Sequence, residues 1–123
     1  MALGLDLTKR SIQDMLKEKR LPWAEAKAFT GAAVLGKWVT FDERANFQLQ
    51  VNGKTVQIGF LDKMSWSVDE LISKLADWAP IGRGDILFTG TPSGVGPLNA
   101  GDEVTALLYV DGELVSTHFA TCV

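Results

Sequence analysis

Cysteine and histidine are nearly missing from this chain. Cys122, beside the C-terminus, is the only cysteine among 123 residues, and His118 is the only histidine. A single thiol closes no intrachain disulfide, so the sequence fits a reducing compartment, and a cytoplasmic location is expected. One thiol and one imidazole cannot build a zinc site. No apolar run approaches the roughly 20 residues of a membrane-spanning helix. Residues 1–20 do not read as a signal peptide, because charge arrives at Asp6, Lys9 and Arg10. An excess of basic charge is also missing: 12 basic against 15 acidic side chains leave a net charge of −3, which gives no ground for nucleic-acid binding. Lys9, Arg10, Lys17, Lys19 and Arg20 do cluster near the front, as on a solvated helix face.

The composition is 46% hydrophobic and 22% charged, which predicts a packed core rather than disorder, and the length suits one domain. Residues 2–7 read as a short strand. Thr8 or Ser11 can cap a following helix, whose face is set by Ile12, Met15 and Leu16 and which runs to about Arg20 before Pro22. Gly31 and Gly36 break any long helix after Ala24. Trp38–Phe41 is a candidate strand. Phe47, Leu49 and Val51 alternate with polar residues, Asn52-Gly53 marks a tight hairpin, and Val56, Ile58 and Phe60 continue the alternation on the return strand. Ser67 and Glu70 have capping-box spacing ahead of a helix ending near Trp78. Strands are expected at Asp85–Thr89, Val104–Tyr109 and Glu113–Phe119, the last two joined by Asp111-Gly112. The expected class is a β-rich α+β unit with two short helices.

Residues 82–101 hold six of the twelve glycines and two of the four prolines. A strand ending in such a loop can bring bare backbone N–H groups to a ligand; the alternative is a plain turn between strands. Three other motifs fail. Gly31-Ala-Ala-Val-Leu-Gly36-Lys37 matches the start of a phosphate-binding loop, but Trp38 stands where Ser or Thr is needed. Ser93 is one residue out of frame for a nucleophile elbow. His118 lacks a triad partner and is read as structural.

Three segments in series carry a resemblance. They are Leu5-Asp6-Leu7-Thr8-Lys9-Arg10-Ser11-Ile12-Gln13, then Leu21-Pro22-Trp23-Ala24-Glu25-Ala26-Lys27-Ala28-Phe29, and then Gly84-Asp85-Ile86-Leu87-Phe88-Thr89-Gly90-Thr91-Pro92-Ser93-Gly94-Val95-Gly96-Pro97. In order and spacing the chain resembles the C-terminal catalytic domain of the fumarylacetoacetate hydrolase family, and its Pro-Trp segment is most similar to the acylpyruvase and oxaloacetate decarboxylase branch. The resemblance implies a sandwich-like β-roll, a homodimer, a Mg²⁺ or Mn²⁺ site and 2-oxo acid substrates. It implies a metal-binding role for Asp6, catalytic roles for Lys27 and Gln13, and substrate binding by Arg10, Gly90 and Thr91. The implied activity is hydrolysis or decarboxylation of an acylpyruvate-like acid through a metal-stabilised enolate. Alternatives are the isomerisation or decarboxylation of 2-hydroxyhepta-2,4-diene-1,7-dioate type acids, or a non-catalytic piece that binds oxo acids or dimerises. The family's upstream Glu-x-Glu metal pair and its lid segment have no counterpart here, so residues 1–123 are expected to be the C-terminal part of a longer catalytic domain.

Elementary chemistry agrees with these roles. A hard divalent cation takes oxygen ligands, and Asp6 offers them. Lys27 adds positive charge beside a developing anion. Gln13 follows Asp6 by seven residues, near two helical turns, with Arg10 three residues before it on a similar face. Taken singly, Asp6 can equally be a favourable charge at a helix N-terminus, Lys27 a surface lysine, and Arg10 a partner of Asp14.

Overall fold

A computed structural model describes residues 1–123. Its larger element is a four-stranded antiparallel sheet built from two hairpins. Strands β3 (Asn46–Val51) and β4 (Lys54–Phe60) form one hairpin, and β5 (Glu103–Val110) and β6 (Glu113–Thr121) the other, in the order β4-β3-β5-β6. Both turns are of the kind that needs two positive-φ residues: Asn52-Gly53 has φ 51° and 75°, and Asp111-Gly112 has φ 51° and 83°. The Asn52 side chain bonds the Asp102 carboxylate and the Glu103 N–H, which ties the first turn to the start of β5.

The smaller sheet pairs β1 (Gly4–Asp6) with β2 (Ala33–Leu35), antiparallel. Between them lie helix α1 (Arg10–Glu18) and a single helical turn, α2 (Ala24–Lys27). Leu3 packs with Ala45, Ala106 and Leu108, so the β1–β2 layer covers the inner face of the large sheet near β3 and β5. Helix α3 (Val68–Ala76) starts at the Ser67–Glu70 capping box, in which each side chain bonds the other's backbone N–H.

Several expectations are corrected. The first helix ends at Glu18, not near Arg20. Arg20 takes a left-handed φ of 55°, with its N–H on the Lys17 carbonyl and the Leu21 N–H on the Leu16 carbonyl, the paired bonds of a Schellman stop. Lys9 precedes that helix with no side-chain cap, so neither Thr8 nor Ser11 caps it; the Thr8 hydroxyl accepts from Lys27. Three α-helices form rather than two, α2 being too short to show a periodicity. Neither Trp38–Phe41 nor Asp85–Thr89 is a strand: in the first only Val39 finds a backbone partner, exchanging bonds with Met1, and from Ile86 to Thr89 there is none.

The return strand is inverted relative to its pattern. Gln57 and Gly59 are the buried residues of β4, while Ile58 and Phe60 are about half exposed. Two features cause this. A register shift leaves Val56 unpaired, since Leu49 faces Gln57 while Gln50 faces Thr55. Opposite Gly59, the ring of Phe47 fills the space a side chain would need, coming within 2.4 Å of where a Cβ would sit.

Candidate active site

The chain turns sharply from β1 into α1, and that turn builds the first cluster. Asp6 is the last residue of β1, Thr8 lies in the turn, and Lys27 is the last residue of α2. A bond from the Lys9 N–H to the Ala26 carbonyl (3.1 Å) fastens α2 beside the turn, and Ala26 is fully buried there. Lys27 Nζ then reaches Asp6 Oδ1 at 2.5 Å and Thr8 Oγ1 at 2.9 Å. An ammonium has three N–H donors, so two are committed and one remains to face a ligand. Asp6 Oδ1 accepts from Lys27, while Oδ2 makes no hydrogen bond and its side chain is 56% exposed.

On α1, Arg10 Nη1 donates to Gln13 Oε1 at 3.1 Å, and Gln13 is buried. Arg10 therefore engages Gln13 and makes no ion pair with Asp14. Gly90 and Thr91 sit apart, in the glycine-rich loop. Gly90 has φ +99° and open space around it. Thr89 and Gly90 border an open groove of about 400 Å³ whose other wall includes Leu71 and Leu75 of α3 and Trp78 just beyond it. The structure joins Asp6, Thr8 and Lys27 in one cluster and Arg10 with Gln13 in another. No hydrogen bond links Gly90 or Thr91 to either. Contact between the loop and β1 comes through Phe88, whose ring lies 2.9 Å from where a Cβ at Gly4 would stand.

Gln57 is the residue that sequence reasoning missed. It is buried, and its Nε2 donates to Thr91 Oγ1 and to the Pro92 carbonyl, both at 2.9 Å. In the sequence it looks like any polar position of an alternating strand; only the bulge at Val56 turns it inward. His118, read as structural, packs against Gly36 with its Nε2 buried and unpaired.

Asp6 suits a hard divalent cation, because its free carboxylate oxygen is the donor such an ion prefers. No three His, Cys, Asp or Glu side chains of the chain gather closely enough to hold an ion by themselves. An ion at Asp6 would therefore need further ligands beyond this carboxylate.

Comparison with known proteins shows the family. The family model described as fumarylacetoacetate (FAA) hydrolase C-terminal matches residues 1–120, and the chain belongs to that family. The oxaloacetate tautomerase FAHD1, mitochondrial, of Pongo abelii is 37% identical over 123 residues, covering 96% of this chain and 54% of its own length. The yeast fumarylacetoacetate hydrolase family protein ynq8 superposes with a TM-score of 0.93 at 30% identity, covering 98% of this chain and 55% of its own. The fumarylpyruvate hydrolase of Pseudomonas aeruginosa, solved in complex with Mn²⁺ and pyruvate, gives a TM-score of 0.88 at 34% identity, over 99% of this chain and 53% of that one. The chain spans about half the length of the curated relatives it matches. No helix is long and apolar enough to cross a membrane.

Proposed function

We propose that this chain is the C-terminal part of a divalent-metal-dependent enzyme acting on acylpyruvate-like or oxaloacetate-like 2-oxo acids. The observation that carries the reading is the Asp6–Lys27–Thr8 cluster, which leaves one carboxylate oxygen and one ammonium N–H free at the same point. Asp6 would hold Mg²⁺ or Mn²⁺, with the remaining ligands supplied by polypeptide outside these 123 residues. When bound, the cation supplies positive charge that favours the enolate of a 2-oxo acid. Asp6 and Thr8 fix Lys27, which keeps one N–H to donate to the oxygen on which negative charge grows. Gln13, held by Arg10, takes a catalytic role by keeping a water or ligand in place, and Arg10, Gly90 and Thr91 bind the substrate's carboxylate end.

Cleavage or decarboxylation follows if the enolate forms by breaking a C–C bond; tautomerisation follows if it forms and is quenched by proton transfer alone. The name of the Pongo abelii relative favours the second outcome and that of the Pseudomonas aeruginosa relative the first. The outer face of the large sheet leaves Ile58, Phe60, Leu114 and Phe119 about half exposed, which supports a homodimer or coverage by further polypeptide. The protein works in a reducing aqueous compartment such as the cytoplasm.

The test is steady-state turnover of oxaloacetate and fumarylpyruvate by the natural polypeptide carrying this chain, with Mg²⁺ or Mn²⁺. Lys27→Ala should lower kcat/KM by on the order of 10²-fold or more. Unaltered turnover in that variant would refute the assigned role.

A further inference from the structure

We infer that Gln57 is a positioning residue that sets the Thr91 hydroxyl as a hydrogen-bond donor toward an anionic oxygen of the substrate. The inference rests on the reading of Thr91 as substrate-binding.

The orientation of the Gln57 amide is fixed by its neighbours. Its Nε2 faces Thr91 Oγ1 and the Pro92 carbonyl at 2.9 Å each, and the Ser93 carbonyl at 3.5 Å. Carbonyls only accept, so turning the amide over would set oxygen against two oxygens. The nitrogen therefore faces the loop, and Thr91 Oγ1 must accept from it. A hydroxyl that accepts at its oxygen still has its own hydrogen to donate. Thr91 is exposed on its other side, so that hydrogen is available to a ligand acceptor. A carboxylate is the acceptor that gains most from it.

The backbone around Gln57 makes the socket rigid. The bulged Val56 presents its carbonyl to Gly94, where a Cβ would lie 1.9 Å from that oxygen, and Gly94 has φ +98°. The turn from Thr91 to Gly94 is thus held at one end by the Gln57 amide and at the other by the bulge. No backbone–backbone hydrogen bond supports it between Ile86 and Leu98.

Gln57→Glu and Gln57→Leu in the natural polypeptide test this. At pH 8 the introduced carboxylate draws the Thr91 hydrogen to itself, so KM for the 2-oxo acid should rise about tenfold or more, with a smaller change in kcat. Burial against the Pro92 and Ser93 carbonyls disfavours that carboxylate, so as pH falls toward 5 the carboxyl protonates and becomes a donor, and the KM of Gln57→Glu should recover while that of Gln57→Leu stays raised. KM within twofold of wild type in both variants, or identical pH profiles for the two, would overturn the donor-setting role. Limited proteolysis of the Thr91–Gly94 turn, measured without substrate, reads the socket independently of any activity. Cleavage there about tenfold faster in Gln57→Leu supports the positioning of the turn even if the substrate assignment fails, and unchanged cleavage refutes it.

Discussion

The four-stranded sheet and the loop from Gly82 to Gly101 both contain positive-φ glycines, but only in the loop does one of them, Gly94, also sit against another backbone. In the sheet, Gly53 and Gly112 sit at hairpin tips with nothing near a would-be Cβ; the ladder sets the shape and each glycine relieves only its own backbone. In the loop there is no ladder. Its path is imposed by Gln57, by the Gly94 approach to Val56, and by Phe88 against Gly4. A segment held by few contacts is set by individual side chains, and the part of the molecule assigned to substrate binding is built that way.

The contrast can be broken by one substitution in each region. Gly94→Ala meets both the left-handed φ and the Val56 oxygen, neither of which can give way cheaply, and should cost about 2–4 kcal/mol of unfolding stability. Gly112→Ala meets only the left-handed φ and should cost about 1 kcal/mol. Chemical denaturation measures both, and equal costs would show that the loop is no more tightly seated than a hairpin tip.

A smaller effect concerns the segment entering the sheet. Arg44 bonds the Asp42 side chain and reaches Asp111 in the β5–β6 turn, coupling the approach to β3 with the far hairpin. The Asp42 carboxyl is lowered to about 2, first by the Arg44 side-chain hydrogen bond and then by the Arg44 N–H. A depressed folded-state pKa gives stability that is present above the ordinary value near 4 and is lost as pH falls through about 2. Thermal melts should show wild type above Arg44→Ala at pH 5, with the gap closing by pH 2. The groups are exposed, so the gap is small; a gap that widens on acidification would contradict the assigned cause.

The same two regions differ in how far the sequence revealed them. Phe47, Leu49 and Val51, the two tight turns and the Ser67–Glu70 box were legible because each is a local rule. The three motif segments, likewise, pointed to Asp6 and Lys27, which meet across a turn. Asp85–Thr89 misled, since apolar β-formers make a strand only where a ladder partner exists, and pairing is not a local property. Ile58 and Phe60 misled because one bulge at Val56 reverses which side of β4 faces inward. Gln57 was invisible for the same reason.

The most direct test of the central claim is Mn²⁺ affinity of the natural polypeptide, read by electron paramagnetic resonance, for wild type and Asp6→Asn. If Asp6 is a metal ligand, the substitution should weaken Mn²⁺ binding by at least about tenfold, a loss on the order of 1.4 kcal/mol. Unchanged affinity in a folded Asp6→Asn protein would remove Asp6 from the metal site and the proposed chemistry with it.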